Sequence, residues 1–298
     1  MKTLITKCIP KTVRKTVRRR LKTAKDLMLD ALDLVLGRHR ELIPPRRLMF
    51  VGDGEFRTTG NEFLGYLKQL AELQPEHRVL DVGCGIGRMA VPLLGYLSNK
   101  GSYEGFDIAP YGIQWCAQRI TPEYPNFRFQ LADIRNREYN PDGQFAASQY
   151  RFPYESDSFD LTFLTSVFTH MLPAECSNYL TEVQRVLKPG GRCLITWFLL
   201  NAESERLIGE GKASLDFRHP FENCLTNNPT TPEEAICYRQ EFVLALYERL
   251  GFAIKHPIHY GGWCGRERYL TFQDVCIAQK PPVAGNGAAQ PMRQADSQ

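Results

Sequence analysis

A chain of 298 residues with 43% hydrophobic content can bury a full α/β core but is too short for two large domains, so one principal domain with appendages is expected. Nine scattered cysteines without a Cys-x-x-Cys pair disfavour a disulfide framework or a zinc site and suit a reduced, cytoplasmic chain, and no apolar run approaches membrane-spanning length. The formal charge of +4 conceals ten Lys or Arg and no acid in residues 1–25; the remainder carries −6, which argues against nucleic-acid binding by the body.

From Val13 to Val35 apolar residues recur at helical spacing (Val13, Val17, Leu21, Ala24, Met28, Ala31, Leu32, Val35), giving a basic amphipathic helix. Three readings stay open for it: peripheral contact with an anionic membrane through residues 1–25, a charged lead-in helix packed on the body, and an organelle-targeting presequence. Pro44-Pro45 ends this segment. Residues 46–61 read as a loop, and a helix is expected over about Asn61 to Leu73 with Asn61 or Thr59 as its cap.

The stretch Arg78-Val-Leu-Asp-Val-Gly-Cys-Gly-Ile-Gly-Arg88 reads as a buried strand entering a glycine-rich turn and then a helix. Asp81 interrupts the apolar run and needs a polar partner. Gly83, Gly85 and Gly87 remove Cβ atoms from the turn, so a ligand can lie against backbone, with amide donors of the next helix pointing at it. The spacing is Gly-x-Gly-x-Gly, and Arg88 stands where the dinucleotide fingerprint needs its third glycine. A pyrophosphate gains nothing from the Asp81 carboxylate, whereas a ligand bearing ammonium and sulfonium groups is attracted by it. A nicotinamide-dependent oxidoreductase is therefore disfavoured.

A helix over Met89 to Leu97 contains Pro92, which must fall in its first turn or kink it. Strand and helix then alternate: strand Ser102 to Asp107, helix Ala109 to Ile120, strand Phe127 to Leu131, a long polar connection at 135–158, strand Phe159 to Leu164 and helix Pro173 to Leu187. A Lys188-Pro-Gly-Gly191 turn leads to strand Arg192 to Leu199, residues 200–230 read as irregular, and a helix is expected from Thr231 to Leu250, stopped by Gly251. Two strands, Phe252 to Tyr260 and Tyr269 to Ala278, have no helix between them and are expected as an antiparallel pair at the sheet edge. The alternation predicts a doubly wound, mostly parallel sheet. The tail from Pro281 is expected to be disordered.

With these motifs in this order, the chain over roughly 61–279 resembles the class I S-adenosylmethionine-dependent methyltransferases. Val79 to Gly87 resembles the family's first motif, Tyr103 to Ile108 its second and Leu131-Ala-Asp-Ile134 its third. Phe152 to Leu164 resembles its approach to strand four, and Arg185-Val-Leu-Lys-Pro-Gly-Gly-Arg192 the turn before strand five. The resemblance implies a seven-stranded sheet with the last strand reversed and a methyltransferase domain at 61–280, beside the basic helical extension with a loop at 1–60 and the tail at 281–298 read from composition. It further implies S-adenosylmethionine as cofactor, with Gly83, Cys84 and Gly85 against its methionine part, Asp81 nearby and Gly87 also in the cofactor-binding turn. Asp107 would take the ribose hydroxyls, Ile108 the adenine face, Asp133 the adenine amino group, Ile134 the other face of the ring, and Thr165 would offer backbone. A helix cap is the alternative role for Asp107 and Asp133. Residues 135–150 depart from the pattern and are expected on the substrate side.

Methyl transfer needs alignment and exclusion of water rather than a nucleophilic side chain. For a hydroxyl acceptor a base helps, and His170, just past strand four, has suitable chemistry, although no carboxylate partner is identifiable; a loop-ordering role is the alternative. His219, Tyr260 and Trp263 are weaker pocket candidates, Trp197 and Phe198 are expected in the core, and no histidine has metal-ligand spacing. The expected function is methylation of an oxygen or nitrogen of a small-molecule acceptor (metabolite, sugar or lipid-linked), with no metal and no nucleic-acid partner. The rival from another class is a non-catalytic S-adenosylmethionine-binding module docked on a membrane or partner.

Overall fold

The computed structural model describes residues 26–32, 42–49, 55–136 and 140–282. The basic segment 1–25, with the first part of the helix expected over Val13 to Val35, and nearly all of the expected tail lie outside these. Residues 26–32 are helical, and the buried Asp30 accepts a hydrogen bond from the Arg46 amide at 2.8 Å. The described chain divides into two compact units: residues up to Tyr150 together with Phe163–Val167, and Arg151–Thr162 together with the chain from Phe168.

Helix α1 spans Phe56–Gln69 and starts earlier than expected. Its cap is neither Thr59 nor Asn61 but Glu55, whose carboxylate accepts from the Thr58 amide at 2.6 Å, and the apolar stripe Phe56, Phe63, Leu67 extends the buried face forward. Strand β1 (Arg78–Val82) pairs in parallel with β2 (Ser102–Asp107), and β2 with β3 (Phe127–Leu131), in a register that sets Asp81 beside Gly105. Helix α2 is only Ala90–Leu93, so Pro92 does fall in its first turn, and the chain then leaves in tight turns. Helix α3 spans Pro110–Arg119 with Pro110 at its first position.

Strand β4 is Phe159–Leu164, helix α4 is Pro173–Val186 and strand β5 is Leu187–Trp197. The turn expected at 188–191 belongs to β5. The Gly190 amide donates to the Lys280 carbonyl and the Lys280 amide to the Gly191 carbonyl, so sheet pairing continues through both glycines. The sheet has seven strands in the order β10-β11-β5-β4-β1-β2-β3, where β10 is Ala253–His259 and β11 is Asp274–Gln279. β11 runs antiparallel to both β5 and β10, the reversed last strand that the sequence implies.

Residues 200–230 are not irregular. After β6 (Leu199–Leu200) comes α5 (Ala202–Gly209), whose cap Asn201 accepts from the Ser204 amide while Ser204 Oγ accepts from the Asn201 amide. A hairpin follows, β7 (His219–Phe221) and β8 (Cys224–Thr226). The long helix expected from Thr231 is instead a 3₁₀ turn at Pro232–Glu234, strand β9 (Ile236–Arg239) and helix α6 (Gln240–Arg249). Ile236, Cys237 and Tyr238 are all buried, and a β-branched and aromatic run covered on both faces favours a strand over a half-exposed helix. A second sheet, β6-β9-β8-β7, results. Its core unites Phe198, Leu200, Phe217, Cys237 and Trp263, with Phe198, Phe217 and Trp263 in mutual ring contact at 5.4 to 5.5 Å.

One buried carboxylate ties this core to β11. Asp274 accepts from the Leu199 amide (2.7 Å), the Gly261 amide (2.6 Å) and Trp263 Nε1 (2.8 Å), with Arg266 Nη1 at 3.4 Å. Burial pushes its pKa up to about 6 against those donors. Asp274→Ala should therefore strand four donors and lower stability by roughly 3 to 5 kcal/mol. Urea unfolding followed by circular dichroism measures it, and a loss below about 1 kcal/mol would remove Asp274 as the tie between core and sheet.

Candidate cofactor site and its surroundings

Parallel pairing of β1, β2 and β3 puts their carboxyl ends on one edge of the first unit, which brings together Asp81, Gly83, Cys84, Gly85, Asp107, Ile108, Asp133 and Ile134. Thr165, Ser166 and Val167 of the same unit follow β4. Ser166 has φ +59°, a left-handed residue at the strand end.

The glycine turn is locked to β2. The amides of Gly83 and Cys84 both donate to the Phe106 carbonyl (2.8 and 3.1 Å), and the Gly85 amide donates to Asp107 Oδ2 at 2.7 Å. Gly83, Gly85 and Gly87 have φ of +81°, +56° and +78°. The reason for two of them differs from the expectation of bare backbone for a ligand. A Cβ on Gly83 would come within 2.4 Å of Val167 Cγ2, and one on Gly87 within 2.9 Å of Cys116 Sγ on α3. These two glycines let the turn pack on protein.

Asp81 is fully buried. Tyr103, also fully buried, donates its hydroxyl to Asp81 Oδ2 at 2.7 Å, and Asp81 Oδ1 has no hydrogen-bond partner among the described residues. Burial, opposed by the Tyr103 bond and reinforced by Asp107, raises its pKa to about 8. Tyr103 is the polar partner that the sequence required without naming. Gly105, between Tyr103 and Asp107, makes room for the pairing, since a Cβ there would meet Tyr103 Cε1 at 2.9 Å and Cys84 at 3.0 Å. Cys84 itself is buried, and that burial pushes its thiol well up, so it serves as packing rather than as a nucleophile.

Asp107 uses both oxygens, Oδ1 for the Ala109 amide (2.8 Å) and Oδ2 for Gly85. It thus holds the Ala109 amide just before α3 and clamps the glycine turn at once. Burial raises its pKa while these amides lower it. Asp133 Oδ1 accepts from the Gln144 amide at 3.3 Å, and Ile134 bridges to Phe145. The segment after β3 therefore folds back on Asp133 and Ile134, with Gly143 so close that a Cβ would lie 2.4 Å from Ile134 C. Phe145 contacts Tyr150, and Tyr150 contacts Phe106.

His170 belongs to the second unit. It ends the 3₁₀ turn Phe168–His170, is exposed, and its Nδ1 lies 3.0 Å from the Glu233 carbonyl oxygen. His219 sits half-buried on β7. Tyr260 borders a shallow cleft of about 510 Å³ with Gln240, Leu244, His256, Pro257 and Ile258, and its hydroxyl donates to Gln240. Trp263 is fully buried on Asp274 and is core, not pocket lining; Trp197 and Phe198 are core as expected. Among the described residues no cluster of three His, Cys, Asp or Glu could hold a metal ion, and no helix is long and apolar enough to cross a membrane.

The residues of the first unit fit S-adenosylmethionine: an unpartnered, buried carboxyl oxygen suits an ammonium group, and a carboxylate at the end of β2 suits ribose hydroxyls. Comparison with known proteins agrees. A methyltransferase domain family matches residues 73–234. The chain is 26% identical over 183 residues to methyltransferase GfsG of Streptomyces halstedii, covering 59% of this chain and 58% of that protein. It is 34% identical over 119 residues to phthiotriol/phenolphthiotriol dimycocerosates methyltransferase 1 of Mycobacterium ulcerans (40% of this chain, 36% of that protein). It is 25% identical over 125 residues to the human tRNA N(3)-cytidine methyltransferase METTL2B (40% and 29%). The chain thus spans about three fifths or less of the length of these relatives. Among solved structures, the PH0226 protein from Pyrococcus horikoshii shares the fold, with TM-score 0.53 and 17% identity over 78% of this chain and 94% of that one.

Two outcomes are expected here. Asp107→Ala should weaken S-adenosylmethionine binding by about 1 to 3 kcal/mol in a folded protein, read by calorimetric titration; unchanged affinity would count against the ribose assignment. Asp81, whose pKa rises from 3.8 to about 8, gives the folded state a proton-dependent stability that is complete at acid pH and lost as pH climbs toward 8. Asp81→Asn keeps the Tyr103 bond without the charge. Its stability relative to the native chain should grow steadily from pH 5 to pH 8, and a difference independent of pH would show that the acid titrates normally.

Proposed function

The chain belongs to the methyltransferase domain family, and from that premise we propose that it transfers a methyl group from S-adenosylmethionine to an oxygen or nitrogen of a small-molecule acceptor. The observation that carries the reading is the convergence of Asp81, the Gly83–Gly87 turn and Asp107 on one strand edge, with a buried carboxyl oxygen left for a cation. When bound, the cofactor supplies a methyl group on a positively charged sulfur, already activated for displacement. Asp81 would hold the ammonium group, the backbone of Gly83, Cys84 and Gly85 the methionine part, and Asp107 the ribose. Ile108, Ile134 and Asp133 would hold the adenine, and Thr165 would offer backbone.

His170 is the proposed base. A carbonyl oxygen only accepts hydrogen bonds, so the contact with Glu233 leaves Nε2 as the ring nitrogen with a lone pair, ready to take the proton that an acceptor hydroxyl loses. The eight described cysteines, all buried and free, suit a reducing cytoplasmic setting. A peripheral membrane role for residues 1–25 rests on their charge alone.

Incubation of the full chain with methyl-labelled S-adenosylmethionine and separate small-metabolite, lipid and tRNA fractions tests the reading. Label in the metabolite or lipid fraction is expected. Label confined to tRNA would overturn the acceptor class, and cofactor binding without label in any fraction would favour the non-catalytic module. On the labelled acceptor, His170→Ala should lower turnover by roughly 10²- to 10⁴-fold while leaving cofactor affinity in place. Near-normal turnover would return His170 to a loop-ordering role.

A further inference from the structure

The second sheet supplies something the resemblance does not: a partner for His170. We infer that the Glu233 main-chain carbonyl, held in place by a side-chain brace of Thr226, Asn228, Thr231 and Glu234, is the positioning group that fixes the His170 ring with its proton on Nδ1 and Nε2 bare. The inference rests on the proposal that His170 is the base.

The geometry is continuous. Nδ1 of His170 lies 3.0 Å from the Glu233 oxygen. Glu233 is the middle residue of the 3₁₀ turn Pro232–Glu234, which joins the β7–β8 hairpin to β9. That turn is held by a directional chain of hydrogen bonds: Asn228 Nδ2 donates to Thr231 Oγ1 (2.7 Å), and Thr231 Oγ1 donates to Glu234 Oε1 (3.0 Å). Thr226, buried at the end of β8, donates its hydroxyl to the Pro232 carbonyl at 3.0 Å and accepts from the Asn228 amide at 3.2 Å. Asn228 Oδ1 takes the Thr230 amide (3.0 Å), and the Glu234 amide closes on the Thr231 carbonyl (3.1 Å). The carbonyls of Pro232 and Glu233 are adjacent, and one faces the brace while the other faces His170. A side-chain carboxylate in this place could accept a proton or swing away; a braced main-chain oxygen does neither, so it selects one tautomer and one ring orientation.

The tautomer can be observed without knowing the acceptor. Long-range ¹H–¹⁵N correlation of the full-length chain, with His170 assigned by difference from His170→Asn, should show a pyrrole-type Nδ1 and a pyridine-type Nε2 in the neutral ring. Thr231→Val breaks the brace and should move His170 toward the Nε2–H form that imidazole side chains favour in water, while Thr231→Ser, which keeps the hydroxyl chain, should restore the native signature. A native ring protonated on Nε2 would overturn the inference, as would a Thr231→Val spectrum identical to the native one in a variant whose folding is verified by circular dichroism. Should Thr231→Val unfold, Asn228→Ala addresses the same chain of bonds from its other end, with the same two readings. If the tautomer behaves as stated but His170→Ala turns over normally, the brace stands and the catalytic reading falls, so the two are separately refutable.

Discussion

A carboxyl group buried without a counter-charge is the constraint around which the first unit is arranged. Asp81 sits inside an apolar strand, where an ionised acid costs several kcal/mol unless something compensates. The Tyr103 hydroxyl satisfies one oxygen, and Asp107 adds repulsion rather than relief. The pair packs as it does because Gly105 leaves room for the Tyr103 ring and Cys84, and because the glycine turn is pinned to β2 through the Phe106 carbonyl and Asp107. Asp107 has a structural duty of its own, since one of its oxygens fixes the glycine turn and the other holds the Ala109 amide.

The second unit meets the same difficulty differently. Asp274 is equally buried, yet two main-chain amides, an indole N–H and a guanidinium surround it, and its pKa is displaced far less than that of Asp81. Arg266 in turn bonds Glu203 at 2.7 Å and the Gly261 carbonyl at 2.9 Å and lies over the Tyr260 ring. A fully partnered acid of this kind organises structure: it joins β11, the start of β6 and the 261–266 loop. A half-partnered acid such as Asp81 is the kind that a cationic ligand can still satisfy.

How much of this the sequence disclosed follows from what each feature depends on. β2, β3 and β4 were readable to the residue because their ends are set by local apolar runs and by acids or turns. β9 was hidden because Thr231-Pro-Glu-Glu is a good helix start, and the helical reading failed only because the buried run Ile236–Tyr238 has a sheet to join, a non-local fact. The start of α1 was misplaced because Glu55 is an unusual cap, and the glycines of 190–191 were read as a turn although their backbone pairs with Lys280. Asp81, Gly83 and Gly85 stand close together because a strand-to-helix turn concentrates them in sequence, and Asp107 is brought to that turn by the parallel pairing of β1 with β2. Tyr103 could have been found from parity, since it shares a face of β2 with Gly105 and Asp107.

The partner of His170 could not have been found in that way. A search of the sequence for an orienting group looks for carboxylates, and every residue has a carbonyl, so a main-chain acceptor leaves no compositional mark. It becomes visible only when a turn 63 residues further along is placed against the ring. This separates the two halves of the problem. The proposed cofactor residues stand at the ends of neighbouring parallel strands and follow from motifs along the chain, whereas the group that would orient the proposed base is a main-chain oxygen of a later turn that no motif marks. The hairpin and its brace are held in two ways: by an apolar core that unites Phe217 and Cys237 with Phe198 and Trp263, and by Thr and Asn hydrogen bonds that fix the turn whose carbonyl meets His170.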